Sequence, residues 1–322
     1  MKKQLTIFGL AAMCSSLVSL SGCVNSLKQI GILQVITHDA LGADRQGFID
    51  QLEKEGFKDG ENISIKLQIP EGDSPTETSM ANSLALSSDL VFGIATSSSL
   101  ALKKAVSDLG ASTPVLYSAV TDPVAAGLIT SSTDHGNVVG TSDAGPTAKN
   151  IDLFTQFSSI DKIGILYNTA EQNSIIQKNE AQAECDVKGI TLIDGGVTAQ
   201  NEIASSLNSM IAQGIKGLFI PTDNTVAAAM VSIKETVIAN KIITICADAA
   251  ATKNGGSLGY SVDYYTLGQT TGKMAAKILN GTDPSTIECS LSDSFPLELN
   301  SDFFTATGIS VPAAIQAEAE AD

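Results

Sequence analysis

The sequence predicts an α/β protein of two Rossmann-like lobes, each with a parallel sheet, joined by crossovers around a ligand cleft. Three observations carry this. The chain of 322 residues is long enough for two cores. Short apolar runs rich in Ile, Val and Leu alternate with helix-like segments, as βαβ units require. The pattern also repeats. Ile30-Gly31-Ile32-Leu33 returns as Ile163-Gly164-Ile165-Leu166, 133 positions later. Leu90 to Ala95 is matched by Gly217 to Pro221, and Pro114 to Ala119 by Ile242 to Ala247, so three runs recur at offsets between 127 and 133.

Taken in order, the first strand ends near Thr37-His38 and leads to a helix of about Ala43 to Glu55. The second copy runs from Ile163 through Asn168 to a helix of about Ser174 to Val187. Pro146 suits the first turn of a helix over Thr147 to Phe157. An amphipathic helix is expected from Tyr265 to Leu279, stopped by Gly281, and a short one after Pro312. The Ala/Glu tail from Ala317 onward reads as frayed. The chain is expected to change lobes near Ser142-Asp143-Ala144-Gly145 and again near Ser261-Val262-Asp263. Lobe 1 then comprises residues 23–142 plus 263–290, and lobe 2 comprises residues 143–262 plus 291–322.

Composition narrows the function. The formal charge is −16, and removing residues 1–22, with two Lys and no acid, takes it to −18. Such a body does not suit nucleic acid or an anionic membrane surface. The hydrophobic fraction is 43% and mean hydropathy is +0.16, which disfavours disorder. His38 and His135 lack partners at metal-ligand spacing, so neither metal nor cofactor is expected. No Gly-x-Ser-x-Gly, His-Glu-x-x-His or P-loop occurs, which argues against an enzyme. Cys246 reads as a core residue, and the odd cysteine count leaves a Cys185–Cys289 bridge open.

In open α/β sheets, ligands sit beyond the carboxyl ends of the strands. The candidate binding residues collect there. In the first half they are Thr37, His38, Ala95, Thr96, Ser97, Thr121, Asp122 and, at the crossover, Asp143. In the second half they are Asn168, Asn173, Ser174, Asp223, Asn224 and Asp248. Each is also a natural helix cap or turn residue, and His38 divides evenly between turn and ligand contact. Both halves place such residues at matching strand ends, which favours a site. With no Lys or Arg at these positions, a zwitterion fits best. Its carboxylate would lie on helix N-termini with Thr96 and Ser97, and its ammonium on Asp122, Asp223 or Asp248. Tyr117, Tyr167, Tyr260 and Tyr264 could stack on an aromatic ligand, and each is equally suited to core or hinge packing.

Lys2 and Lys3 precede an apolar stretch from Leu5 to Leu20, the pattern of a signal peptide over residues 1–22. Leu20-Ser21-Gly22-Cys23 resembles the lipobox of bacterial lipoproteins, which implies lipidation of Cys23. Several further motifs join it: Gly93-Ile94-Ala95-Thr96, Thr121-Asp122-Pro123-Val124, Gly140-Thr141-Ser142-Asp143, Glu171-Gln172-Asn173-Ser174, Pro221-Thr222-Asp223-Asn224-Thr225 and Gly268 to Met274. Together they resemble the substrate-binding lipoproteins of ABC transporters associated with tryptophan and other aromatic amino acids. The resemblance implies a periplasmic-binding-protein fold of type I with three crossovers, and partnership with a permease and an ATPase. It also implies an extracytoplasmic body held at the bacterial cell membrane by its lipid anchor alone. A monomer is expected. A ligand-sensing module for a membrane receptor, or a sugar or nucleoside carrier, would use the same cleft.

Overall fold

The computed structural model describes residues 27–158 and 160–320. Residues 1–22, read from sequence as a signal peptide, and Cys23 lie outside the described residues. The first sheet is built from β1 (Lys28–Gln34), β2 (Ile63–Gln68), β3 (Leu90–Ile94), β4 (Val115–Ser118) and β5 (Val138–Ser142). Helices α1 (Asp39–Lys54), α2 (Ser74–Ser87) and α3 (Thr96–Asp108) connect its early strands. After α4 (Thr147–Thr155), the second sheet follows with β6 (Lys162–Asn168), β7 (Thr191–Val197), β8 (Gly217–Ile220), β9 (Ile243–Cys246) and β10 (Leu258–Tyr260). Its helices are α5 (Gln172–Lys188), α6 (Ile203–Ala212), α7 (Asn224–Ala239) and α8 (Ala249–Asn254). The chain then returns through α9 (Tyr264–Leu279) to β11 (Ser290–Leu291) on the first sheet. It ends with β12 (Leu297–Leu299) on the second sheet, α10 (Ser301–Thr307) and α11 (Ala313–Ala319).

The strand orders are β11-β5-β4-β3-β1-β2 and β12-β10-β9-β8-β6-β7. The two orders correspond strand for strand. All pairs are parallel except β10 with β12, which is antiparallel. Both sheets are covered on both faces, which is why the runs are continuously apolar. Side chains still alternate with the pleat. In lobe 1, Ile30, Ile32, Leu90, Phe92, Ile94, Leu116 and Val139 enter one core with α1 and α9. Leu33, Val91, Val115, Tyr117 and Val138 enter the other core with α2 and α3. Each such fully buried side chain contributes roughly 1.5–3 kcal/mol. Phe48 of α1 stacks on Phe92 at 4.2 Å between ring centroids, locking helix to sheet.

Helix α9 lies tightly on α1. A Cβ on Gly268 would fall 1.9 Å from the Asp44 carbonyl oxygen, and one on Gly47 would fall 2.1 Å from that of Tyr265. Only glycine permits this approach, and it fixes the N-terminus of α9 beside that of α1. The tail departs from the sequence expectation. Helix α11 continues through Ala319, and Tyr260 donates a 2.7 Å hydrogen bond to Glu318, which ties it to lobe 2. Cys185 and Cys246 are buried and Cys289 is half-buried, all as free thiols, so the bridge left open by sequence is not formed.

Candidate functional site

The register of the two sheets defines equivalent positions. Ile30 pairs with Leu90, and Ile163 pairs with Gly217. Following each strand to its end matches His38 with Glu171, and Thr96 with Asp223. Val91 pairs with Val115, and Leu218 with Thr244, which matches Ala119 with Asp248, one residue beyond the Ala247 that the sequence repeat pairs with it. At all three strand ends, lobe 2 carries an acid where lobe 1 carries none.

These ends face one another across a small enclosed cavity of about 10 Å³, room for about one water in the closed form. Its walls include His38, Leu41, Ala119 and Tyr264 from lobe 1, and Asp143 from the crossover. Lobe 2 contributes Asn173, Thr222, Asp223, Asn224, Ala227 and Asp248. No Lys or Arg lines it. A larger groove of about 820 Å³ runs alongside, between α1, the start of α9 and the segment Pro296–Asp302. That groove is open to solvent and shares only Tyr264 with the enclosed cavity. The smaller one is the candidate site, because the strand ends of both lobes converge there.

The lobes touch around it. His38 Nε2 lies 3.3 Å from Asn224 Oδ1, and the hydroxyls of Thr121 and Thr222 are 3.3 Å apart. Asn254 donates to Asp39 at 3.1 Å, and Gln172 to the Ala125 carbonyl at 3.4 Å. The cleft is closed.

Lobe 2 builds its wall from acids at helix starts. Asp223 caps α7 by accepting from the Val226 N–H at 2.7 Å, and also accepts from Ser174 Oγ and the Asn168 N–H. Glu171 caps the same helix from a distance in sequence. Its carboxylate accepts from the N–H and side-chain amide of Asn224 and from the N–H and hydroxyl of Thr225. Burial, and then the neighbouring Glu171, push the Asp223 carboxyl up to about 8. Asp248 caps α8 through the Ala251 N–H at 2.7 Å. Asp143 accepts from Tyr264 at 2.9 Å and from Thr121 at 3.0 Å. Burial raises it to about 6 despite those bonds, and burial with the Asp143 charge drives the Tyr264 phenol upward. Carboxylates closed off from water, with no cation beside them, favour a ligand that brings positive charge.

Lobe 1 contributes strained backbone and an idle hydroxyl. Ala95 has φ 81° and ψ 164°, a region otherwise left to glycine, and Ala119 has φ 55°. Both follow strand ends at the cleft. Thr96 is buried and its Oγ1 has no partner in the protein. A buried polar atom without a partner is costly, and a ligand would satisfy it.

Of the residues singled out by sequence, His38, Asp143, Asn173, Asp223, Asn224 and Asp248 come together as walls of the cavity. Thr121, Asn168 and Ser174 stand behind them, bonded to Asp143, Asp223 or Thr225. Ala95, the N-cap after β3, and Thr96, the first residue of α3, do not line the cavity. Thr37, Ser97 and Asp122 are not among the walls. Thr37 is exposed and bonds Glu71, Ser97 bonds Glu77, and Asp122 closes a turn through the Val124 and Ala125 N–H groups. Among the tyrosines only Tyr264 lines the cavity, while Tyr117 is core and Tyr167 and Tyr260 bond Asp194 and Glu318. Leu41, Ala119 and Ala227 escaped sequence reading because apolar residues on a helix or strand look like core. In sequence Glu171 stands out only as part of a motif, and its repeat match to His38 is the signal that finds it. Among the described residues, no group of His, Cys, Asp and Glu could hold a metal ion.

Comparison with known proteins follows the same line. The family described as ABC transporter substrate binding protein matches residues 29–322. A tyrosine-binding protein of Clostridioides difficile is 33% identical over 282 residues, 87% of this chain and 80% of the relative. Among solved structures, an ABC domain in complex with L-Trp from Streptococcus pneumonia superposes with a TM-score of 0.85 at 30% identity. The match covers 91% of this chain and 98% of that one. The ligand-free, open structure of a substrate-binding protein with adhesive properties from Clostridium difficile is 38% identical, with coverage of 89% and 97%. Its TM-score is only 0.66. The better superposition on the less identical, liganded relative accords with the closed cleft here. The paired lobes, the cleft between them and the match over nearly the whole described chain place this protein in the ABC transporter substrate-binding family, as a non-catalytic, extracytoplasmic solute-binding protein of an importer.

Proposed function

We propose that this protein captures an aromatic amino acid, tyrosine or tryptophan, by closing its two lobes, and hands it to the permease and ATPase of an importer. The observation that carries the reading is the cavity wall of Asp143, Asp223 and Asp248 with no Lys or Arg beside it. An ammonium group meets that wall. The ligand carboxylate is accommodated by the neutral donors opposite, Thr96 Oγ1 among them, and by spare N–H groups at helix starts. Leu41, Ala119, Ala227 and Tyr264 supply apolar surface for a ring. The names of a tyrosine-binding relative and an L-Trp complex support the same ligand class. We further infer that Cys23 carries a lipid and tethers a monomeric body outside the cell membrane. Closure would be a hinge motion at the crossovers near residues 143–146, 261–263 and 292–296.

Thermal denaturation of the mature protein with each of the twenty amino acids tests the ligand. L-tyrosine or L-tryptophan should raise the melting temperature most, by several degrees at a hundredfold excess over Kd. Their analogues lacking the ammonium group should give no shift. A larger shift with a sugar or nucleoside than with any amino acid would overturn the proposal.

A further inference from the structure

The polarity of the hydrogen bonds around His38 is forced, link by link. Glu171 as a carboxylate only accepts, so the Asn224 side chain must turn its Nδ2 toward it, and the two are 2.7 Å apart. That leaves Asn224 Oδ1, an acceptor, facing His38 Nε2 at 3.3 Å. The imidazole must therefore carry its hydrogen on Nε2 to complete the contact. In the neutral ring, Nδ1 is then a bare lone pair. His38 is a wall of the cavity, and its Nδ1 is shut away from water with no partner in the protein.

We propose that Glu171, through Asn224, fixes the tautomer of His38 so that Nδ1 accepts a hydrogen bond from the ligand's ammonium group. His38 is thus a specificity-determining contact and Glu171 a positioning residue. This rests on the amino-acid reading above and sharpens it. The titratable groups sharing the cavity with His38 are Asp143, Asp223, Asp248 and Tyr264. All are acids, so a donor bearing positive charge is the group that suits every wall at once. A ligand carboxylate at this spot would meet a lone pair and nearby negative charge.

The relay crosses the cleft, because Glu171 and Asn224 belong to lobe 2 and His38 to lobe 1. It is complete only when the lobes are closed, so tautomer selection and closure occur together. Lobe 2 thereby determines what lobe 1 presents to the ligand.

The chain has two histidines, His38 and His135, so imidazole ¹⁵N spectra of the untagged protein hold two rings. A His135→Gln variant assigns them. With saturating L-tyrosine, His38 should carry hydrogen on Nε2 and none on Nδ1, and the Nδ1 signal should move on binding. Glu171→Gln frees the Asn224 amide to turn over. It should mix the two tautomers and weaken L-tyrosine binding about tenfold, the loss of one charge-assisted contact. It should also narrow the preference for L-tyrosine over 3-(4-hydroxyphenyl)propionate, which lacks the ammonium group. If that variant does not fold, Asn224→Ala cuts the same relay at a half-buried position, and the tautomer is read there. Hydrogen on Nδ1 in the complex, or an unchanged tautomer in the relay variant, overturns the proposal while leaving the amino-acid reading intact. Failure of the unaltered protein to bind either L-tyrosine or L-tryptophan overturns the reading and the relay with it.

Discussion

The two lobes share one plan and divide the chemistry between them. Their sheets have the same strand order, and their apolar runs superpose position by position. At the strand ends they diverge. Lobe 2 sets Glu171, Asp223 and Asp248 where lobe 1 sets His38, Thr96 and Ala119. Lobe 2 thus supplies buried acids, and lobe 1 supplies an imidazole, a hydroxyl and strained backbone. The two lobes agree where the core requires it and differ beyond the last buried strand position. A site between two such lobes is polar from one side to the other, and a zwitterion fits that asymmetry.

The strongest attempt to break this contrast compares one strand-end residue from each lobe. Asp248→Asn keeps the helix cap, which Asn forms as well as Asp, and removes only the charge. Loss of a charged contact costs about 2–3 kcal/mol, so affinity for L-tyrosine should fall roughly 30- to 100-fold. Thr96→Val removes a neutral contact worth about 1 kcal/mol, and affinity should fall roughly fivefold. The same change deletes a buried hydroxyl without a partner, so the ligand-free variant should melt slightly higher than the parent. Calorimetric titration of both variants would show the contrast, and equal losses would erase it.

A second test uses pH. Asp143 and Asp223 are held above the ordinary carboxylate range, at about 6 and about 8. A carboxyl raised on folding stabilises the fold below its unfolded value near 4, and that contribution is lost as pH rises through its folded value. Between pH 5 and pH 8 the ligand-free protein should therefore lose stability from this pair. An ammonium ligand favours the ionised forms, so its affinity and its stabilising effect should grow over the same range. Melting curves at each pH, with and without L-tyrosine, measure both slopes. Asp143→Asn and Asp223→Asn variants should flatten them; a slope that survives both changes belongs elsewhere.

The smallest expected effect concerns strain. Ala95→Gly relieves the ψ 164° conformation at φ 81° in lobe 1. Released strain of about 1–3 kcal/mol is partly offset by the greater entropy of an unfolded glycine. The net gain of about 1 kcal/mol corresponds to a rise of roughly 2 °C in Tm. The equivalent lobe 2 residue, Thr222, has no positive φ and its hydroxyl accepts from Gln177 Nε2, so Thr222→Gly, which deletes that hydroxyl, should lower Tm instead. A matching sign at the two positions would show that the lobes do not differ in stored strain.

Much of this was legible before folding. Ile30, Leu90 and Val115 announce strands because a strand buried on both faces must be apolar at each position. Asp223 and Asp248 announce helix starts because their side chains accept from N–H groups three residues on. Thr37, Ser97 and Asp122 looked the same in sequence, since a cap, a turn and a ligand contact draw on the same short polar side chains. Only their partners, Glu71, Glu77 and local N–H groups, separate them from the site.

The sequence by itself determined the twin α/β architecture, the excess of acids at the strand ends of the second half and the absence of cations there. These follow from local periodicity and from residue identity at positions a few places apart. The tertiary structure alone decided that His38 meets Asn224, that Thr121 meets Thr222, and that Asn254 reaches Asp39. Such contacts join residues separated by whole domains of chain. They depend on how two rigid bodies close, and no pattern within either body encodes that angle.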